Sequence, residues 1–525
     1  MRLVAGKILC YLTLIMITGC SLRSNQIGSN GITGKVAIDQ QSLASLNFQG
    51  NSMRVFEPLR QVLMGEPKVY GDQMIIRFDE GVSKARIEEI LESFSLTVLK
   101  ELLELNVYKV GLPKGAVWND LATALGKIFE IKYVSENRSF IRPTIIGNQP
   151  NDPYFQDSSQ TNLQRIAMPQ AWELLANQSK VKVAVIDGCF FSHQDLNFNT
   201  TLGYDYFHQQ QFAFESEDSS FAHGSHVAGI IAATANNSLG IAGIVWNVEL
   251  IPITIFGYNE NHALISADSL AIAQAIQYAV NVGAKIINMS WGSDYDDQLI
   301  ADVLLNAYQH GVTLVAAVGN DGNDGGSVKF PARLNYVIAV GASNLNNQRC
   351  DFSSLGTTNR AIDLLAPGDC ILSTVANNSY QFYGGTSMAS PHVAGIAALL
   401  YGLGITTPSL IKQYLTKNAL DIGAVGVDQN TGWGIVNALG AIGIAKTKVL
   451  LMNTTSQIVV QTLMVNSDGS YQFAGVPAGH YRIQGWIDTN LDQQVNAGDY
   501  YAESSEEFYY DGKLQKLSSL VVHKY

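Results

Sequence analysis

The sequence predicts an α/β protein: a mostly parallel sheet sandwiched by helices, preceded by a small ferredoxin-like unit and followed by a β-rich region. Three observations carry this. The chain has 525 residues, 47% hydrophobic and only 15% charged, enough for several domains with a large core. From about residue 151 to 446, short continuous apolar runs alternate with amphipathic helical patterns, as strands buried on both faces require. From about 54 to 142 the periodicity switches in the order β-α-β-β-α-β. Acidic residues outnumber basic ones 45 to 33 and no Lys/Arg cluster occurs, which excludes nucleic acid as a partner.

At the N-terminus, Arg2 and Lys7 flank an apolar stretch, Ile8 to Ile17, followed by Thr18, Gly19 and Cys20, the layout of a secretory signal. About ten apolar residues cannot span a bilayer of about 30 Å. The ending Ile17-Thr-Gly-Cys20 resembles a bacterial lipobox, which implies removal of residues 1–19, acylation of Cys20 and a membrane partner through that lipid. Ser21 then favours the outer membrane. The alternative is an ordinary cleaved signal with an incidental cysteine. Residues 20–53 are rich in Ser, Asn, Gln and Gly and read as a flexible tether. Within 54–150, Gln73 to Phe78 alternates as a strand, and Ile87, Ile90, Leu91 and Phe94 keep helical spacing after Ser83. Two strands over 97–112, a helix over 117–128 and a strand near 131–134 complete the unit. Five cysteines are too few for a disulfide scaffold. Cys350 and Cys370 could pair if their strands are adjacent, which would leave Cys189 odd.

Residues 151–447 hold the apolar runs Val181–Ile186, Leu250–Ile255, Lys285–Asn288, Thr313–Val318 and Tyr336–Val340. In parallel sheets ligands bind beyond the carboxyl ends of strands. Asp187 follows the first run and Asn320 the fourth, while His223 and Ser387 each open a predicted helix. A serine hydroxyl is a poor nucleophile until a neutral imidazole takes its proton. The imidazole in turn needs a buried carboxylate to fix its tautomer. Ser387 at a helix start also places developing negative charge near unpaired N–H groups.

The strings Val183-Ala-Val-Ile-Asp-Gly188, His223-Gly-Ser-His-Val-Ala-Gly229 and Gly385-Thr-Ser-Met-Ala-Ser-Pro-His-Val-Ala-Gly395 resemble the signature blocks of the subtilisin-like serine proteases, in that family's order Asp, His, Ser. Further matching blocks, such as Asn288-Met-Ser-Trp-Gly292 and Ala316-Ala-Val-Gly-Asn320, spread over roughly 250 residues. The resemblance implies a triad of Asp187, His223 and Ser387, with Asn320 donating to the oxyanion. It also implies a substrate cleft lined by Ser290, Trp291 and Gly292 and by Ala317, Val318 and Gly319, where an extended polypeptide pairs by strand addition. Gly292 and Gly319 are expected to leave room for a large, apolar or aromatic side chain before the cut bond. The chain departs from the family at Gly188-Cys189 and at Ser225, neither of which removes a catalytic group.

The resemblance extends to structural Ca²⁺, with no catalytic metal. Asn237 within Asn236-Asn-Ser-Leu-Gly-Ile241, together with Asp195, resembles the family's strong calcium loop. A second candidate lies in the tail, where Asp488, Asn490, Asp492, Asn496 and Asp499 take EF-hand-like positions, the alternative being a solvated acidic turn. Residues 448–525 resemble small transthyretin-like or carboxypeptidase-regulatory β-sandwiches. The 54–150 unit resembles the family's prodomains, which inhibit their own protease until cut, here between about 139 and 152. The expected protein is therefore an exported, lipid-anchored serine endopeptidase made as a zymogen. The competing class is a non-catalytic surface protein that only binds peptides. Cutting after the prodomain separates the lipid from the protease, so the mature enzyme is expected to be released unless prodomain or tail contacts hold it.

Overall fold

The computed structural model describes residues 31–39, 69–79, 81–102, 106–138, 149–175, 178–216, 221–258, 263–489, 499–504 and 507–524. The signal region, Cys20, Asn490, Asp492 and Asn496 lie outside the described residues. The chain divides into two units, Asn47–Gly147 and a second made of Met1–Leu46 with Asn148–Tyr525.

In the 47–147 unit the antiparallel sheet runs Thr97–Leu102, Val107–Gly111, Val69–Phe78, Ile131–Arg138. Helices Lys84–Ser93 and Trp118–Leu125 supply the rest of the β-α-β-β-α-β order. Alternation puts Met74, Ile76 and Phe78 on the buried face, where Ile87, Ile90 and Leu91 of the first helix meet them. Ser83 caps that helix by accepting the Arg86 N–H.

The larger unit is built on a sheet ordered Leu364–Pro367, Ile338–Ser343, Thr313–Ala317, Ile286–Met289, Val181–Gly188, Val248–Tyr258 and Tyr204–Asp205. Successive pairings along this path are parallel. Its central strands are mostly apolar and buried because helices cover both faces. The chain order reverses at Val181–Gly188, whose neighbours are Val248–Tyr258 on one side and Ile286–Met289 on the other. Such a switch point opens a crevice beyond the carboxyl ends of the strands, and Asp187 and Ser290 flank it. The helix Thr386–Gly402 runs beneath the sheet with Met388, Val393, Ile396 and Leu400 all buried. No helix among the described residues is long and apolar enough to cross a membrane.

Among the described residues, eight C-terminal strands and one from the expected tether form a nine-stranded sheet. Residues 20–53 were expected to be flexible throughout, yet Ile32–Ile38 is a strand of that sheet. It pairs antiparallel with Ser470–Phe473 and parallel with Gln515–Lys516 and Leu520–Lys524. The physical reason is a period-two pattern that buries Ile32, Val36 and Ile38 and turns Lys35 and Ala37 outward. Each such fully buried aliphatic side chain contributes about 1.5–3 kcal/mol, which outweighs the polar composition around it.

Candidate active site

Asp187 is the penultimate residue of the Val181–Gly188 strand and His223 the first of the His223–Ala232 helix. A glycine lets these elements come together. A Cβ on Gly224 would collide with the Gly188 carbonyl, so only a bare backbone permits the approach. Ser225 Oγ accepts the Phe191 N–H at 2.7 Å, tying the loop after Asp187 to the same helix. Ser at this position does what the commoner threonine hydroxyl could do.

With these constraints met, His223 Nδ1 lies 2.7 Å from Asp187 Oδ1, which also accepts the Gly188 N–H at 2.8 Å. Asp187 is almost wholly buried and His223 half-buried. Burial opposes charge on the imidazole, but the charge of Asp187 and its hydrogen bond outweigh that, and the His223 pKa is raised. The other histidines of the same sequence blocks behave oppositely. Burial pushes His226 down to about 3 and His392 down to about 4. They serve packing: His226 stacks on Tyr383 at 4.2 Å, and His392 Nε2 meets the Asn162 amide at 2.8 Å.

Ser387 is the second residue of the buried Thr386–Gly402 helix. Its Oγ donates to the Ser290 carbonyl at 3.0 Å, and Ser290 Oγ donates back to the Ser387 carbonyl at 2.8 Å. Hydrogen bonds at catalytic serines are often redirected when substrate arrives. Asn320 stands at the exposed lip, with its orientation set by a residue that sequence reasoning missed. The N–H and hydroxyl of Thr386 both donate to Asn320 Oδ1, at 2.9 and 3.0 Å, and Thr386 Oγ1 accepts the Gly319 N–H at 3.2 Å. The side-chain amide Nδ2 therefore faces the Gly385–Ser387 turn, 3.4 Å from where a Cβ on Gly385 would sit. The signal was present in Gly385-Thr-Ser387, but a threonine beside a nucleophile reads as an ordinary residue of a helix start until its partners are seen.

Ser290, Trp291 and Gly292 follow one strand, and Ala317 ends the next, with Val318 and Gly319 just beyond it. Trp291 is fixed by donating Nε1–H to the Ile186 carbonyl at 2.9 Å. The expectation of an open space at Gly292 and Gly319 is corrected by Lys329. A Cβ on Gly292 would lie 2.8 Å from Lys329 Cβ, and one on Gly319 2.5 Å from Lys329 Cγ. The Lys329 stem fills that space, and its ammonium is paired with both Asp294 and Asp321. Those two carboxylates hold its pKa above the ordinary value.

The calcium candidates divide. Asp195 is fully buried, accepting from Asn237 Nδ2 at 2.6 Å and from the Ile241 N–H and Tyr380 hydroxyl at 3.0 Å. Asp152, also buried and unforeseen, accepts the N–H groups of Asn236 and Asn237. Burial raises both carboxyl pKa values, and the charge of Asp152 raises Asp195 further. Two buried carboxylates that repel each other beside an Asn side chain are a donor set suited to a hard divalent cation. In the tail, Asp488 and Asp499 are buried. Asp499 accepts from the Trp486 indole at 3.2 Å and from the N–H and hydroxyl of Thr489 at 2.9 Å. Cys189, Cys350 and Cys370 are free thiols in the structure, so the possible pairing of Cys350 with Cys370 is not formed. Burial pushes the Cys189 thiol up to about 12, which makes it unreactive.

A model of the subtilase family matches residues 178–434. A thermophilic serine proteinase of a Bacillus species is 33% identical over 376 residues, covering 70% of this chain and 87% of the relative. Thermitase of Thermoactinomyces vulgaris is 36% identical over 296 residues, covering 56% of this chain and 99% of thermitase. Subtilisin Savinase of Lederbergia lenta is 35% identical over 280 residues, covering 53% and 97% respectively.

Proposed function

The chain belongs to the subtilase family and is a subtilisin-like serine endopeptidase, and we propose that it cuts extended polypeptides with Asp187, His223, Ser387 and Asn320. The observation that carries this reading is the 2.7 Å contact of His223 Nδ1 with buried Asp187, the contact that orients an imidazole base. Substrate pairs with the backbone at 290–292 and 317–319, presenting its scissile carbonyl to Ser387. The Ser387 hydroxyl turns from the Ser290 carbonyl toward Nε2 of His223, which takes its proton as Oγ attacks. The oxyanion is met by Asn320 Nδ2–H and the Ser387 N–H at the helix start. His223 then returns the proton to the leaving amine, and water repeats the sequence on the acyl-enzyme. Asp187 holds the ring in place and stabilises the imidazolium.

The same reading makes the protein an exported zymogen. The Asn47–Gly147 unit acts as an intramolecular inhibitor until the chain is cut between about 139 and 152, and acylated Cys20 anchors the precursor to the outer membrane. A structural Ca²⁺ is held by Asp195, Asn237 and Asp152, whose mutual repulsion it offsets. Asp488 and Asp499, both buried, are the described residues that would hold a second ion. Digestion of a peptide library tests the core of the proposal: the mature wild type should cut it, while Ser387→Ala should not. Equal cleavage by the two proteins would refute the role of Ser387.

A further inference from the structure

We propose that the segment around Ile32–Ile38 stays seated in the C-terminal sheet after maturation, so that the mature enzyme is a two-chain molecule. This rests on the zymogen reading only in supposing that the chain is cut between about 139 and 152. The strand and the prodomain lie on the same side of that cut, yet they belong to different units. Residues up to Leu46 group with the protease and tail, whereas Asn47–Gly147 stands by itself.

The strand sits inside the sheet and not at its edge. It lies between Leu520–Lys524 on one side and Ser470–Phe473 on the other, and among the described residues Ser470–Phe473 pairs with no other strand. The Gln515 N–H donates to the Gly31 carbonyl, the Leu517 N–H to Thr33 and the Val36 N–H to Gly469, each at 2.8 Å. Ile32, Val36 and Ile38 are buried. At Gly34 the Tyr471 ring lies against the backbone so closely that any Cβ would overlap it. Ile38 reaches the catalytic domain itself, where a Cβ on Gly443 of the Ala438–Lys446 helix would come within 2.9 Å of it. Losing the strand would unpair Ser470–Phe473 and expose this core to water. The partner of this surface is thus the chain's own N-terminal segment, held by strand pairing. A lipid on Cys20 would remain coupled to the protease through it.

The test uses the full chain carrying Ser387→Ala, a tag within residues 22–29 and foreign-protease sites within 47–68 and 139–148. After cutting, gel filtration in native buffer at micromolar concentration should show the tagged piece eluting with the protease in equal amounts, as a Kd below about 1 μM requires. Denaturant should separate them. Val36→Asp should release the tagged piece in native buffer while the cut protein still elutes as a folded species. Elution of the unmodified tagged piece apart from the protease would overturn the proposal. The zymogen reading fails separately: wild-type enzyme that is active with an intact 139–152 segment refutes it, whatever the engineered cut shows.

Discussion

His223 Nδ1 and Asp187 Oδ1 stand 2.7 Å apart at the ends of two elements whose approach requires the bare backbone of Gly224. The pairing leaves His223 Nε2 as the basic nitrogen. Replacing Asp187 with Asn keeps the shape but favours the wrong tautomer, and kcat should fall by about 10⁴-fold. Steady-state kinetics on a peptide substrate checks this, and a loss of less than tenfold would contradict it.

The pH profile follows from the same contact. Burial alone would lower the His223 pKa, but Asp187 raises it. Only the neutral ring can accept the Ser387 proton, so activity is lost as pH falls through that raised value. The acid limb of kcat/KM should therefore have its midpoint above the ordinary imidazole value of about 6.5. A midpoint below it would show that burial, not Asp187, dominates.

Asn320→Ala should lower kcat by roughly 10²–10³ with little change in KM. Thr386→Val removes one of the two bonds that aim the Asn320 amide and should cost about tenfold in kcat, the worth of one hydrogen bond of about 1.4 kcal/mol. Thr386→Ser should restore most of it, whereas a merely structural threonine would show no such rescue.

Lys329 occupies the space beside Gly292 and Gly319. Lys329→Gly should raise kcat/KM for substrates with Phe before the cut bond by about tenfold or more relative to those with Ala. Cleavage profiling of both proteins on one peptide library reads the change, and an unaltered profile would place Lys329 outside the subsite.

Chelation should shorten the half-life of the mature enzyme at elevated temperature, because an ion at about 100 times its Kd stabilises the native state by about 2.7 kcal/mol. Asp195→Asn and Asp152→Asn should each make the half-life insensitive to chelator. A wild type indifferent to chelator removes the calcium assignment.

The parallel sheet and the four residues proposed for catalysis were legible because the relevant signals are local. Val183-Ala-Val-Ile186 is continuous and apolar since both its faces are covered, and Asp187 stands where a parallel strand ends. What escaped were contacts across long separations. Ile32 pairs with Phe473, and no window of sequence contains both, so a seven-residue strand among Ser, Asn and Gln passed for a tether. Lys329 enters the cleft from a segment beyond both glycines that frame it, and Asp152 meets Asn237 through backbone N–H groups that carry no sequence signature. Leu364–Pro367 was missed as a strand because four residues ending in proline fall below any periodicity.

The most direct measurement is labelling of the mature enzyme by a fluorophosphonate, followed by mass mapping of the modified residue. The account predicts stoichiometric modification of Ser387 in the wild type, slowed by roughly the same factor as turnover in Asp187→Asn, and none in Ser387→Ala. Absence of label on wild-type enzyme freed of its prodomain, or label on any other residue, would contradict it.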